Sequence, residues 1–103
     1  MAKKTLELLT ETMFYVLMAL NKQDMCGTEV SDYVLNKTKS RVKLGPGTLY
    51  TILAKFMEEK LIEEKSFSDR KRTYTITEKG RTAFQEEINR LRICIADAES
   101  EDT

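Results

Sequence analysis

The only proline of the chain, Pro46, stands between Gly45 and Gly47 and opens a helical periodicity. Proline is at home in the first turn of a helix, where its missing N–H has no partner to lose. From there Leu49, Ile52, Leu53, Phe56 and Met57 recur at spacings of three and four residues and form one apolar face, in a helix running to about Lys60. At 100° per residue, Gly47, Thr48, Thr51, Ala54 and Lys55 lie on the opposite side. A helix whose outward face is small and hydroxyl-bearing can enter a groove that a bulky helix cannot.

The flanking segments follow from the same reading. Leu6, Leu9, Met13, Val16, Leu17 and Leu20 make a first apolar stripe, with Thr5 as the expected N-cap and Asn21 to Gly27 as the exit loop. Thr28 is expected to cap a second helix whose buried side is Val30, Tyr33, Val34 and Leu35. The period then changes. Residues 61–67 and 72–77 are rich in β-branched and aromatic side chains, and Ser68-Asp69-Arg70-Lys71 between them reads as a basic turn of a β-hairpin. Thr77 is the expected cap of a last helix, in which Phe84, Ile88, Leu91, Ile95 and Ala98 fall at heptad-like spacings.

The order helix, helix, helix, hairpin, helix predicts a mainly α fold with a small β-hairpin. The expected division is a winged helix-turn-helix DNA-binding domain over residues 1–77, a C-terminal dimerisation helix over 78–98, and a frayed acidic tail over 99–103. At 103 residues there is room for one modest core. The heptad-like residues exceed what that core can take, which predicts a two-fold homodimer built from the first and last helices. Its expected interface is Leu6, Leu9, Phe14, Phe84, Ile88, Leu91 and Ile95.

Charge is informative through its placement. The chain has 17 basic and 17 acidic side chains, but residues 37–81 carry a balance of +6 and both flanks are acidic. A neutral total therefore hides a basic middle, the footprint expected for phosphate contact. Lys37, Lys39, Arg41 and Lys43 flank the third helix, and Arg70, Lys71 and Arg72 sit at the wing. The expected DNA-binding set is Lys39, Ser40, Lys43, Gly47, Thr48, Tyr50, Thr51, Lys55, Arg70, Lys71 and Arg72. Tyr50 reads equally as a core side chain with a wet hydroxyl or as a phosphate contact.

Absences exclude other chemistries. There is no histidine, which removes His-dependent triads and His-ligated metals, and no cofactor or metal is expected. Cys26 and Cys94 form no CxxC pair and read as free thiols of a reducing compartment. Glu63 and Glu64 are adjacent on a strand, point to opposite faces and cannot flank one substrate, so no enzyme is expected. The longest apolar run, Met13 to Leu20, is eight residues, too short for a membrane span. With no signal peptide pattern, the expected location is cytoplasmic.

Leu44-Gly45-Pro46-Gly47-Thr48-Leu49-Tyr50, then Leu61-Ile62-Glu63, then the run from Asp69 to Arg81, resemble the PadR family of bacterial transcriptional regulators. The resemblance spans roughly residues 6–97. It implies a sequence-specific regulator, a repressor that binds a dyad operator in double-stranded DNA as a homodimer, and the length places it in the short subfamily with a single C-terminal helix. Short members that bind planar drugs resemble one another in a tryptophan at the dimer cleft. This chain has no tryptophan, which leaves Phe14, Tyr15 and Phe84 as the lining for a small apolar effector of unnamed identity. The alternative is a winged-helix protein-interaction module whose basic face meets an acidic partner protein, with Glu58, Glu59, Glu63 and Glu64 near the same face.

Overall fold

Thr10, not Thr5, opens the first described helix. Its side chain accepts the Met13 N–H at 3.1 Å, and Glu11 occupies the first turn. The computed structural model describes residues 9–68 and 71–101, and the backbone alone at 66–68 and 71, so Thr5 and Leu6 lie outside the described residues. Helix α1 is Glu11–Lys22, and Leu9 precedes it in a non-helical conformation. Thr10 is the extended N-cap, and the Leu9 N–H before it is bonded to the carboxylate of Glu87 on a distant part of the chain.

The expected loop from Asn21 to Gly27 contains a short strand, β1, at Met25–Cys26. It pairs antiparallel with the wing, Met25 opposite Tyr74 and Cys26 opposite Thr73. The two-stranded hairpin of the sequence reading is thus a three-stranded sheet. This pairing also moves the start of the second helix, α2, which is Gly27–Lys37. Cys26 is held extended by the sheet and becomes the N-cap in place of Thr28. Its N–H donates to Glu29 Oε1 at 2.9 Å, the reciprocal half of a capping box.

Helix α3 is Pro46–Glu58, with Pro46 in the first turn as expected and an end two residues before Lys60. Lys60 adopts a left-handed φ of 64°, which reverses the chain into the wing. Strand β2 is Ile62–Ser68 and β3 is Lys71–Ile76, in the sheet order β1-β3-β2. Their register, Ile62 opposite Ile76 and Glu64 opposite Tyr74, breaks at a bulge between Glu64 and Ser66. Helix α4 is Glu78–Ser100, so Glu99 and Ser100 of the expected frayed tail are helical. The Ser100 hydroxyl donates to the Asp97 carbonyl within that last turn.

One core holds these elements together. Val16, Leu17 and Leu20 of α1, Val30 and Val34 of α2, Leu49, Leu53 and Phe56 of α3, and Ile62 and Tyr74 of the sheet bury almost completely. Each such side chain contributes roughly 1.5–3 kcal/mol through its burial, far above what an exposed ion pair gives. The α3 stripe read from the sequence therefore fixes which face of α3 remains in water.

Two residues of the TEKG segment lock the wing to α4. The Thr77 side chain accepts the Gly80 N–H at 3.0 Å and donates to the Lys60 carbonyl at 2.8 Å, while its own N–H bonds the Leu61 carbonyl at 2.9 Å. A Cβ on Gly80 would lie 2.1 Å from the Leu61 carbonyl oxygen and 2.7 Å from Ile76. Gly80 is thus required by close approach of helix to backbone.

Candidate nucleic-acid interface

The outward face of α3 is fixed by its buried one. Leu49, Ile52, Leu53 and Phe56 point inward, while Gly47, Thr48, Thr51 and Ala54 are exposed and Lys55 is half-buried. Gly45 caps the helix without a side-chain hydrogen bond, so no cap side chain occupies the N–H groups of the first turn. A Cβ on Gly45 or Gly47 would meet nothing within 4 Å. Neither glycine is demanded by packing; together they leave the helix entrance flat.

Tyr50 does not join the core. It is half exposed, and its hydroxyl occupies the space beside Gly27, where a Cβ would come within 2.5 Å of the oxygen. The ring therefore lies across the start of α2 instead of in the core stripe.

The turn from α2 to α3 is tightly built. Thr38 is buried, donating to the Val34 carbonyl at 2.8 Å and accepting the Val42 N–H at 3.0 Å. Val42 joins the core. The sequence reading took this stretch only as a basic segment, and the signal missed was an apolar residue four positions after a threonine. Lys39 and Ser40 take left-handed φ values of 53° and 67°, and the Ser40 N–H closes the helix end onto the Leu35 carbonyl at 2.8 Å. Lys39, Ser40 and Lys43 are all exposed, next to the entrance of α3.

Arg41 departs from expectation. Its guanidinium is turned onto α1, where it pairs with the Glu11 carboxylate, donates to Tyr15 Oη at 3.1 Å and lies 5.8 Å from the Tyr15 ring centre. The wing is also partly compensated. Arg72 is exposed, 3.7 Å from Glu64, and Lys65 reaches Asp24 at 2.8 Å. The Lys65 ammonium, then the Thr75 side chain, hold the Asp24 carboxyl below its usual range. Arg70 lies outside the described residues, and Lys71 is described as β3 backbone alone.

On the other side of α1, Phe14 stacks on Phe84 at 5.2 Å between ring centres and meets Tyr15 edge-on at 6.0 Å. Two of the expected interface residues thus face each other inside one protomer, and Phe84 is a core residue because α4 packs directly on α1. Ile88 and Leu9 are half-buried beside them, and Leu91 is half-buried. Ile95 is exposed, as is Ile93, which the heptad reading left out. Sequence reasoning also missed Glu87. It is buried, bridged to Arg90 Nε at 3.1 Å and Nη2 at 2.5 Å, and bonded by the Leu9 N–H. The Arg90 guanidinium in particular holds its carboxyl below the usual glutamate range.

Both cysteines are free, Cys26 buried and Cys94 exposed. Among the described residues no group of acidic or cysteine side chains is placed to hold a metal, and no helix is long and apolar enough to cross a membrane.

The sequence matches the profile of the Transcriptional regulator PadR-like family over residues 16–86. No curated protein sequence gives a significant match. Among solved structures, a transcriptional regulator from Clostridium thermocellum is similar with a TM-score of 0.77 and 19% identity, over 90% of this chain and 97% of that one. A PadR family transcription regulator from Clostridium difficile R20291 matches with a TM-score of 0.77 and 17% identity, over 91% of this chain and all of the other. Bacillus subtilis PadR, solved in complex with operator DNA, matches with a TM-score of 0.65 and 19% identity, over 74% of this chain and 45% of its own.

Proposed function

This chain belongs to the PadR-like family of transcriptional regulators, and from that premise we propose that it is a repressor that binds a dyad operator as a homodimer. The observation that carries the reading is the exposed face of α3. Thr48 and Thr51 offer hydroxyls and methyl groups at groove-reading positions, and the face runs directly into the exposed turn holding Lys39, Ser40 and Lys43. In this reading Lys39, Ser40, Lys43 and Tyr50 meet phosphates, Gly47 lets the backbone approach, Lys55 extends the contact along α3, and Arg70, Lys71 and Arg72 place the wing on the DNA backbone. The similarity to a relative solved with operator DNA supports DNA as the partner.

The dimer is assigned to α1 and α4. Ile88, Leu91 and Ile95, three and four residues apart, continue one apolar stripe along α4, half-buried at Ile88 and Leu91 and exposed at Ile95, and Leu9 adds to it. A second copy of this chain covers that surface, placing two α3 helices about a two-fold axis.

The test is duplex binding measured against salt. The wild-type protein is expected to lose affinity steeply as salt rises. Replacing Arg70, Lys71 and Arg72 together with Ala is expected to weaken binding to all duplexes and to flatten the slope by roughly one unit per lost phosphate contact. An unaltered slope in that variant would remove the wing from the interface. A salt-insensitive wild type would favour capture of an acidic protein partner instead.

A further inference from the structure

Arg41 sits in the turn that delivers α3, between the exposed pair Lys39–Ser40 and Lys43. Lys39 and Lys43 have no acidic partner among the described residues, whereas Arg41 is drawn back onto α1 by Glu11 and Tyr15. We propose that Arg41 is a further phosphate ligand held in reserve, and that Glu11 is its competitor, keeping affinity for indiscriminate DNA low until a duplex seats on α3. This rests on the DNA-binding reading above.

The geometry supports an exchange over a permanent clamp. The side chains of Arg41 and Glu11 remain 55% and 58% exposed, so water and salt reach both partners. An exposed pair of this kind gives the fold little and is released at small cost. A guanidinium forks equally well onto a carboxylate or a phosphate, with two parallel N–H donors in either case. The Tyr15 ring supplies a face along which the planar group can slide without losing its apolar contact. Glu11 lies in the first turn of α1, outside the basic segment, and its carboxylate holds the guanidinium where a phosphate would otherwise compete for it.

The consequence is a difference between two kinds of DNA. On a poorly fitting duplex, Glu11 retains Arg41 and one phosphate contact is missing. On a duplex that seats α3 fully, the phosphate displaces the carboxylate and the contact forms. Glu11 thereby widens the gap between specific and non-specific affinity without touching a base.

The experiment measures binding of the full-length protein to a non-specific duplex over a range of salt concentrations. Glu11→Gln is expected to raise affinity several-fold and to steepen the slope of log affinity against log salt by roughly one unit. Glu86→Gln, which removes an exposed acid of α4, is the control for net charge alone and is expected to leave the slope at its wild-type value. Adding Arg41→Ala to Glu11→Gln is expected to return the slope to that of the wild type. If Glu11→Gln behaves like Glu86→Gln, or lowers melting temperature and DNA affinity together, the pair is a structural clamp and the proposal fails while the DNA-binding reading stands. A wild type without salt-dependent duplex binding overturns both.

Discussion

Thr51 and Gly80 show how differently two residues of one motif-rich chain act. Thr51 is exposed on α3, nearly opposite the buried Leu49 and Phe56. Thr51→Val keeps the shape and removes the hydroxyl. It is expected to cost about 1–3 kcal/mol in operator binding if that hydroxyl meets a base edge, with little change on non-specific DNA. Competition binding on the two duplexes checks this, and full retention on the operator would move base reading to Thr48 and Lys55. Gly80 acts on stability alone. A methyl group there overlaps the Leu61 carbonyl, so Gly80→Ala is expected to destabilise by about 1–3 kcal/mol in chemical denaturation. An unchanged midpoint would mean that α4 can back away from the wing freely. The sequence marked both residues, but only contact with the Leu61 backbone separates a packing glycine from the open Gly47.

Elements of this protein are joined through side chains that bury or compensate charge. Glu87 ties α4 to the segment before α1 by accepting the Leu9 N–H and the Arg90 guanidinium. Its carboxyl is held below its ordinary value of 4.5 in the fold. A lowered folded pKa adds stability above the unfolded value, and that stability is lost as pH falls from there through the folded one. Thermal melts are therefore expected to hold steady near neutrality and drop below about pH 4.5, the ordinary carboxyl value. Glu87→Gln is expected to melt lower at neutral pH and to converge on the wild type in acid. Asp24, lowered chiefly by Lys65, contributes the same sign and keeps some acid sensitivity in the variant. Parallel melting curves at every pH would show that the Glu87 carboxylate does not hold these elements together.

Across the whole molecule, the apolar residues of α4 divide at about Ile88. Phe84 is spent on the protomer's own core, and the surface beyond it carries Leu91 and Ile95. Leu91→Asp places a charge in that surface and is expected to give a monomer or an aggregate in sedimentation. Phe84→Asp is expected to unfold the protomer itself, since Phe84 stacks on Phe14. An intact dimer in Leu91→Asp would assign the two-fold contact to another face. The same division limits the effector idea, because the rings of Phe14, Tyr15 and Phe84 are already packed on one another and Tyr15 is covered by Arg41.

The amino-acid sequence determined the helix order, the inward and outward faces of α3, the wing and the basic middle. All of these rest on periodicity and on residues such as Pro46 and Thr77 that act within a few positions of themselves. What the tertiary structure decided are the contacts across long separations. Cys26 caps α2 because Met25 and Cys26 pair with Tyr74 and Thr73, nearly fifty residues away. Arg41 turns from the basic segment because Glu11 and Tyr15 wait on α1. The segment before α1 is tied to α4 because the Leu9 N–H meets the carboxylate of Glu87. No local pattern carries these outcomes, since each depends on which distant partner the folded core brings within hydrogen-bonding range.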